Sequence, residues 1–242
     1  YNVFCYSLGN FPTMRCLEQI RNDAAYHQAN IKIINVGGGY SYGQLGFSHH
    51  STEDLSYMRS IPNIKIVCPA SRLDTEKLTD QIFSKKGVFY LRLDKKREEL
   101  KHNKKYKTTF GKISKIKSGK KIAFFVIGGI LNEVIKATNI LEQNSISSSI
   151  YNCHTLKPFD KKFISIAKRY KNIAIVEENN ILGGLNGEIS EKLIKNNARK
   201  INYINFGIKD NFQKKVGDRD YLIKQNKLDY LNISKRVLNF LK

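Results

Sequence analysis

Long apolar runs are missing from this 242-residue sequence. No stretch approaches the roughly 18 consecutive apolar residues of a membrane-spanning helix, and no charged, apolar and small-residue succession opens the chain as a secretory signal would. A soluble, cytoplasmic protein is expected. CxxC spacing is also missing. Cys5, Cys16, Cys68 and Cys153 are scattered and mostly sit in apolar stretches, which speaks against a zinc site or a disulfide framework and for reduced core thiols. Acidic residues are scarce: 21 Asp and Glu face 42 Lys and Arg, a formal net charge of +21. The lysine runs at Lys95 to Arg97, Lys101 to Lys107 and Lys115 to Lys121 carry no RNP, zinc-finger or helix-turn-helix signature. A solvated Lys- and Asn-rich surface therefore explains the charge better than a nucleic-acid interface does; an acidic partner chain or a phosphorylated substrate suits the same field. No fixed-period repeat occurs. The first residue is Tyr1 rather than a methionine, so the natural polypeptide is expected to extend upstream.

What is present is an alternation of short β-branched runs with helical stretches, the pattern of parallel strands joined by crossover helices. Strands are predicted at Lys32 to Val36, Ile64 to Cys68, Val88 to Leu93, Ile122 to Ile127, Ser148 to Asn152, Ile173 to Glu177 and Ile201 to Phe206. Helices are predicted at Thr13 to Gln28, Ser51 to Ser60, Asp74 to Phe83, Leu131 to Gln143, Lys161 to Tyr170, Gly187 to Asn196 and Ile233 to Leu241. The class is doubly wound α/β. Length and a hydrophobic content of 41% favour two units. A Lys-, Glu- and Asn-rich stretch from Asp94 to Lys121, including KKREELKHNKKYK, marks the linker between them. The units are placed at residues 1–110 and 111–242.

The densest group of unusual residues is Val36 to Asp54, VGGGYSYGQLGFSHHSTED, directly after the strand IKIIN. Ligands in open α/β sheets bind beyond the carboxyl ends of strands, and glycines there let the backbone approach a ligand; a flexible turn is the bland alternative. His49 and His50 precede Ser51, a potential helix cap, with Glu53 and Asp54 in the first turn. A helix N-terminus disfavours imidazolium, so His49 is expected to be neutral and able to donate to a substrate oxygen or accept a proton. Arg92, in the apolar strand FYLRL, needs an anion: a substrate phosphate or carboxylate, or an internal partner such as Asp94 or Glu53. Phe4, Tyr6 and Phe11 flank Gly9 and Pro12 ahead of TMRCLEQIRNDAAYH, placed either to form core or to sandwich a flat heteroaromatic ring.

EQIRND, IKIINVGGG, GFSHHSTEDLSYMRSIPNIKIVCPAS and VFYLRL resemble, in order and spacing, the pyrimidine domain of transketolases. NCHTLKPFD, IAIVEENNILGGLNGEISEKL and FGIKDNF resemble the transketolase C-terminal domain, so the resemblance covers nearly the whole chain. It implies a thiamine-diphosphate enzyme whose cofactor lies between two domains of different subunits, one gripping diphosphate and Mg2+, the other holding the aminopyrimidine ring. This sequence looks like the second. The family's magnesium motif, GDG followed by paired asparagines, is absent here, so an N-terminal partner subunit or a missing N-terminal half is expected to hold the metal, in a dimer or heterotetramer. The resemblance assigns His49 and neighbouring Ser48 to the sugar substrate, Arg92 to its phosphate, and Phe11 and Tyr6 to the pyrimidine ring. Departures from the family pattern are Leu45 where an acidic residue is usual, Gly37 where an upstream histidine falls, and Asn179 in place of a histidine after Glu177 and Glu178. Together they point to a variant sugar. The glutamate that activates the cofactor is expected upstream of Tyr1. The implied activity is transfer of a two-carbon ketol unit between a ketose and an aldose phosphate. Rivals on the same architecture are a 1-deoxyxylulose-5-phosphate synthase, a pyruvate dehydrogenase β subunit and a non-catalytic interaction or nucleic-acid-binding protein.

Overall fold

Two five-stranded sheets account for the architecture of the computed structural model, which describes residues 1–95 and 106–242. The first contains β1 (Val3–Leu8), β2 (Ile31–Val36), β3 (Ile64–Val67) and β4 (Val88–Leu93), all parallel, in the order β1-β2-β4-β3. The second is built on β6 (Ile122–Ile127), β7 (Ser148–Asn152), β9 (Asn172–Asn180) and β10 (Asn202–Ile208), parallel and ordered β10-β9-β6-β7. Each sheet is finished by a short antiparallel strand that the sequence did not announce. β5 (Ser114–Lys117) pairs with β7, and β8 (Thr155–Lys157), from the second half of the chain, pairs with β3 of the first sheet. β5 lies inside the stretch expected to be a linker. Residues 96–105 of that stretch, with most of its basic run, lie outside the described residues.

The central strands show why the sheets are parallel and covered on both faces. All six residues of β6, IAFFVI, are buried, as expected where helices pack on either side. α4 (Leu131–Gln143) and α8 (Tyr230–Phe240) cover one face of the second sheet through Leu131, Val134, Leu141, Ile233 and Val237. Its other face meets the first sheet. One hydrophobic cluster runs from Ile33, Leu55, Met58, Ile66 and Tyr90 into Phe125, Ile127, Ile175, Leu185 and Ile189, with Leu185 and Ile189 carried by α6 (Leu185–Lys195). Side chains of this size contribute about 1.5–3 kcal/mol each when buried, so the two sheets stabilise one another through a shared core. α3 (Arg72–Phe83), with Leu78 and Ile82, closes the far face of the first sheet.

The helix predicted over Thr13 to Gln28 is a composite. A 3₁₀ turn (Met14–Cys16) passes into α1 (Leu17–Gln19) and then a π-helical turn (Ile20–Ala25), burying Ile20, Ala24 and Ala25. α2 begins at Asp54, α5 is confined to Phe163–Ala167, and α7 (Arg219–Gln225) was not foreseen. The thiols also divide: Cys68 and Cys153 are buried, but Cys5 and Cys16 are exposed, Cys5 because β1 is an edge strand. Among the described residues, no helix is long and apolar enough to cross a membrane.

Candidate functional site

The carboxyl ends of the two sheets face one another, and the Gly-rich loop lies between them. β2 and β4 end in register, Val36 opposite Leu93, and the amides of Gly37 and Gly38 both donate to Leu93 O (2.7 and 3.1 Å). The chain then turns back on itself: Gly39 N donates to Ser51 O (2.7 Å) and Ser51 N to Gly39 O (3.0 Å), closing residues 39–51 into a loop. Gly39 has φ +62°, and a Cβ there would collide with the Glu178 carboxylate, so only glycine fits. Across the gap, Asn180 N donates to Thr52 O (2.5 Å) and Gly129 N to Asp94 Oδ2 (2.8 Å).

Within the loop, a single turn (Phe47–His49) presents Ser48 and His49. Ser48 Oγ lies 3.1 Å from His49 Nδ1, and the His49 ring stands edge-on to Phe11 at 5.3 Å. His50 turns inward. It is 4% exposed, its ring is edge-on to Tyr40 at 5.0 Å, and its Nε2 lies 3.4 Å from Gly43 O. Burial holds the His50 pKa below the usual histidine value, partly opposed by the bond to Gly43. The reason for neutrality is therefore burial, and it applies to His50. The dipole of α2 is not involved, because α2 starts at Asp54 with Glu53 as its cap residue and no side-chain cap. Ser51 does not cap it; Ser51 Oγ instead accepts from Asn35 Nδ2 (3.1 Å).

A cavity of about 700 Å³ opens where this loop meets the second half of the chain. Phe11, Ser48, His50 and Glu53 line it from one side, Asp210 and Phe212 from the other. Asn10 Nδ2 donates to His50 O (2.5 Å), fixing the Phe11 segment on the histidines. Burial raises the Glu53 pKa above the usual carboxylate range against the bond from Thr52 (2.8 Å), which places a weak acid at the mouth beside a neutral imidazole. Sequence reasoning saw Glu53 only as a first-turn acid. Arg15 also lines the cavity, its guanidinium 5.6 Å from the Phe11 ring centre.

Two of the predicted residues lie elsewhere. Tyr6 is 65% exposed on the edge strand β1 and is not among the residues lining the cavity. Arg92 is 1% exposed and fully engaged inside the chain. Its Nε pairs with Asp54 at 2.8 Å, one terminal nitrogen donates to Ser51 O and Glu178 O (2.9 Å each), and the other lies 3.9 Å from Cys68 Sγ. The anion it requires is Asp54, not Asp94, Glu53 or an external phosphate, because a guanidinium enclosed in this way has no direction left open to a ligand.

Residues 1–99 match the family described as "Transketolase, pyrimidine binding domain", and residues 111–220 match "Transketolase, C-terminal domain". A "Putative transketolase C-terminal section" of Methanocaldococcus jannaschii is 32% identical over 242 residues, 99% of this chain and 75% of that protein. This chain belongs to the transketolase family. One of the two subunits of an apulose-4-phosphate transketolase of Actinobacillus succinogenes is 31% identical over 220 residues, covering 90% of the chain and 70% of that protein. The fold agrees with a solved structure described as "Split gene transketolase, inactive beta4 tetramer", with a TM-score of 0.86 at 24% identity over 99% of the chain and 75% of that structure. The chain thus corresponds to the C-terminal portion of a transketolase, its pyrimidine-binding and C-terminal domains in tandem.

Proposed function

We propose that this chain is the pyrimidine-binding subunit of a split transketolase, moving a two-carbon ketol unit from a ketose to an aldose phosphate. Its units are assigned to residues 1–110 and 111–242. The observation that supports it most is the meeting of Phe11, Ser48 and the histidine pair at one cavity in a chain of this family. The aminopyrimidine ring fits here: Phe11 offers a partly exposed aromatic wall and the cavity has room for a heteroaromatic ring. Thiamine diphosphate, when bound, supplies the electron sink that lets a carbon–carbon bond next to a carbonyl break. His49, with Nδ1 turned to Ser48, keeps Nε2 free to hold or move a proton at a substrate hydroxyl. His50 and Glu53 exclude bulk water from the inner wall and keep it polar. Tyr6, exposed on β1, is available to the ring only from the subunit interface. Arg15 is a cation at this cavity and is assigned the substrate phosphate, while Arg92 anchors the loop.

Magnesium and the diphosphate are assigned to an N-terminal partner subunit in a dimer or heterotetramer. Among the described residues, no group of three or more His, Cys, Asp or Glu is placed to hold a metal ion. Leu45, exposed where relatives usually carry an acid, favours a modified or branched sugar over an ordinary ketose phosphate.

The test is reconstitution with a partner carrying GDG and paired asparagines, assayed with ketose phosphate against pyruvate as donor. Thiamine-dependent use of the ketose is expected, with His49→Ala lowering kcat about tenfold or more. Pyruvate as the only donor, or turnover indifferent to thiamine diphosphate, would refute the assignment.

A further inference from the structure

The histidine loop is held by the second half of the chain through one carboxylate. Glu178, on β9 and 3% exposed, accepts the Tyr40 amide on Oε1 (2.8 Å) and Arg219 of α7 on Oε2 (Nε 3.0 Å and a terminal nitrogen 2.5 Å). Its carbonyl takes Arg92. Tyr40 is 1% exposed and carries the ring against which His50 stands. α7 makes a second contact: a Cβ on Gly43 would fall 2.5 Å from Leu222, so the turn carrying Leu45 sits directly on this helix. Such a pair is expensive to desolvate and has a defined geometry, which suits it to fixing position more than to adding stability.

We infer that Glu178 and Arg219 are positioning residues of the active site: they act through Tyr40 to set the orientation of the His49–His50 loop, giving the C-terminal half a role in catalysis beyond assembly. Neither group faces the cavity lining described above, and neither contacts substrate.

The test uses this chain and two local readouts, amide hydrogen exchange over residues 39–50 and the NOE between the Tyr40 and His50 rings. Arg219→Met should speed exchange across the loop about tenfold, the ratio that corresponds to one lost hydrogen bond to a charged group, and should weaken the NOE. Arg219→Lys should restore most of both. Val237→Ala, a cavity under α8 remote from the loop, should lower Tm while leaving both signals unchanged. Should Arg219→Met not fold, Glu178→Gln keeps the acceptor for Tyr40, removes the charge that grips Arg219 and reads the same signals. Loop exchange and NOE unchanged in either variant, or changed equally by Val237→Ala, would overturn the positioning role. In the reconstituted enzyme Arg219→Met should lower kcat with cofactor affinity unaltered. Only that arm rests on the transketolase reading, so a failure there with the loop signals as expected would indict the reaction and not the clamp.

Discussion

Replacing Arg92 with methionine separates two roles that a buried arginine at a strand end is able to play. In the structure its partner Asp54 is completely buried, with Oδ2 shared between Arg92 Nε and the Tyr90 hydroxyl (2.5 Å) and Oδ1 without a hydrogen-bond partner. Arg92→Met leaves that carboxylate uncompensated and frees the carbonyls of Ser51 and Glu178. Breaking a buried ion pair costs about 3–5 kcal/mol, and a chain of this size loses roughly 2–4 °C of Tm per kcal/mol, so a fall of roughly 6–20 °C is expected. Arg92→Met combined with Asp54→Leu removes both charges and should recover part of the loss, since apolar replacement of a whole pair is often neutral. The assay is thermal unfolding followed by circular dichroism for the two single variants and the double, read as a mutant cycle. If Arg92→Met melted with the parent chain and changed only the KM of a phosphorylated donor, the guanidinium would be free for substrate and the buried geometry would be misread.

Arg15→Met should raise KM for a phosphorylated donor while leaving KM for its unphosphorylated analogue unchanged, a comparison read from steady-state kinetics of the reconstituted enzyme. Gly39→Ala, forced to φ +62° with its methyl against Glu178, should cost about 1–3 kcal/mol and disorder the loop locally, visible as faster exchange over residues 39–50. Asp74→Ala should cost about 3 kcal/mol or more, because Asp74 is fully buried and accepts from Tyr106, Thr108 and Asn152; a denaturant titration measures it. His154 is buried and its pKa is pushed down to about 4, chiefly by burial, so its unfolded form binds the extra proton between 6.5 and about 4. Stability is therefore complete above 6.5 and falls as pH drops through that window, by up to about 1.4 kcal/mol per pH unit, and His154→Asn should flatten that slope in a pH series of Tm values.

The parts of the fold legible in the sequence are those that local pattern encodes. IAFFVI, VFYLRL and SSIYN read as strands because buried parallel strands are near-continuous apolar runs, and LNEVIKATNILEQ reads as a helix because its apolar residues recur at helical spacing; β4, β6, β7 and α4 fall where the pattern places them. β5 and β8, with four and three residues, are too short to show a period, and they exist because an edge of each sheet was open to pair with them. The site divides in the same way. VGGGYSYGQLGFSHH announces a loop with chemistry, since glycines and histidines are conspicuous in any window. That His50 rather than His49 turns inward, and that Arg92 belongs to Asp54, depend on which way side chains point in the folded loop, and here the residues alone left two readings of each. The clamp is the extreme case. Tyr40 and Glu178 are 138 positions apart, and Glu178 is tied in turn to Arg219, 41 positions further on. No local period or short motif links such residues, so a carboxylate in EEN looks like any strand-end acid until the two sheets are brought face to face. The loop needs that distant partner because residues 39–51 bury backbone amides between two sheet ends with few strand neighbours to accept them, and a buried donor left unsatisfied would cost about 1–3 kcal/mol. Glu178 satisfies the Tyr40 amide, and its own burial is tolerable only because Arg219 neutralises it; the histidine loop, the carboxylate and the guanidinium are therefore expected to fail together.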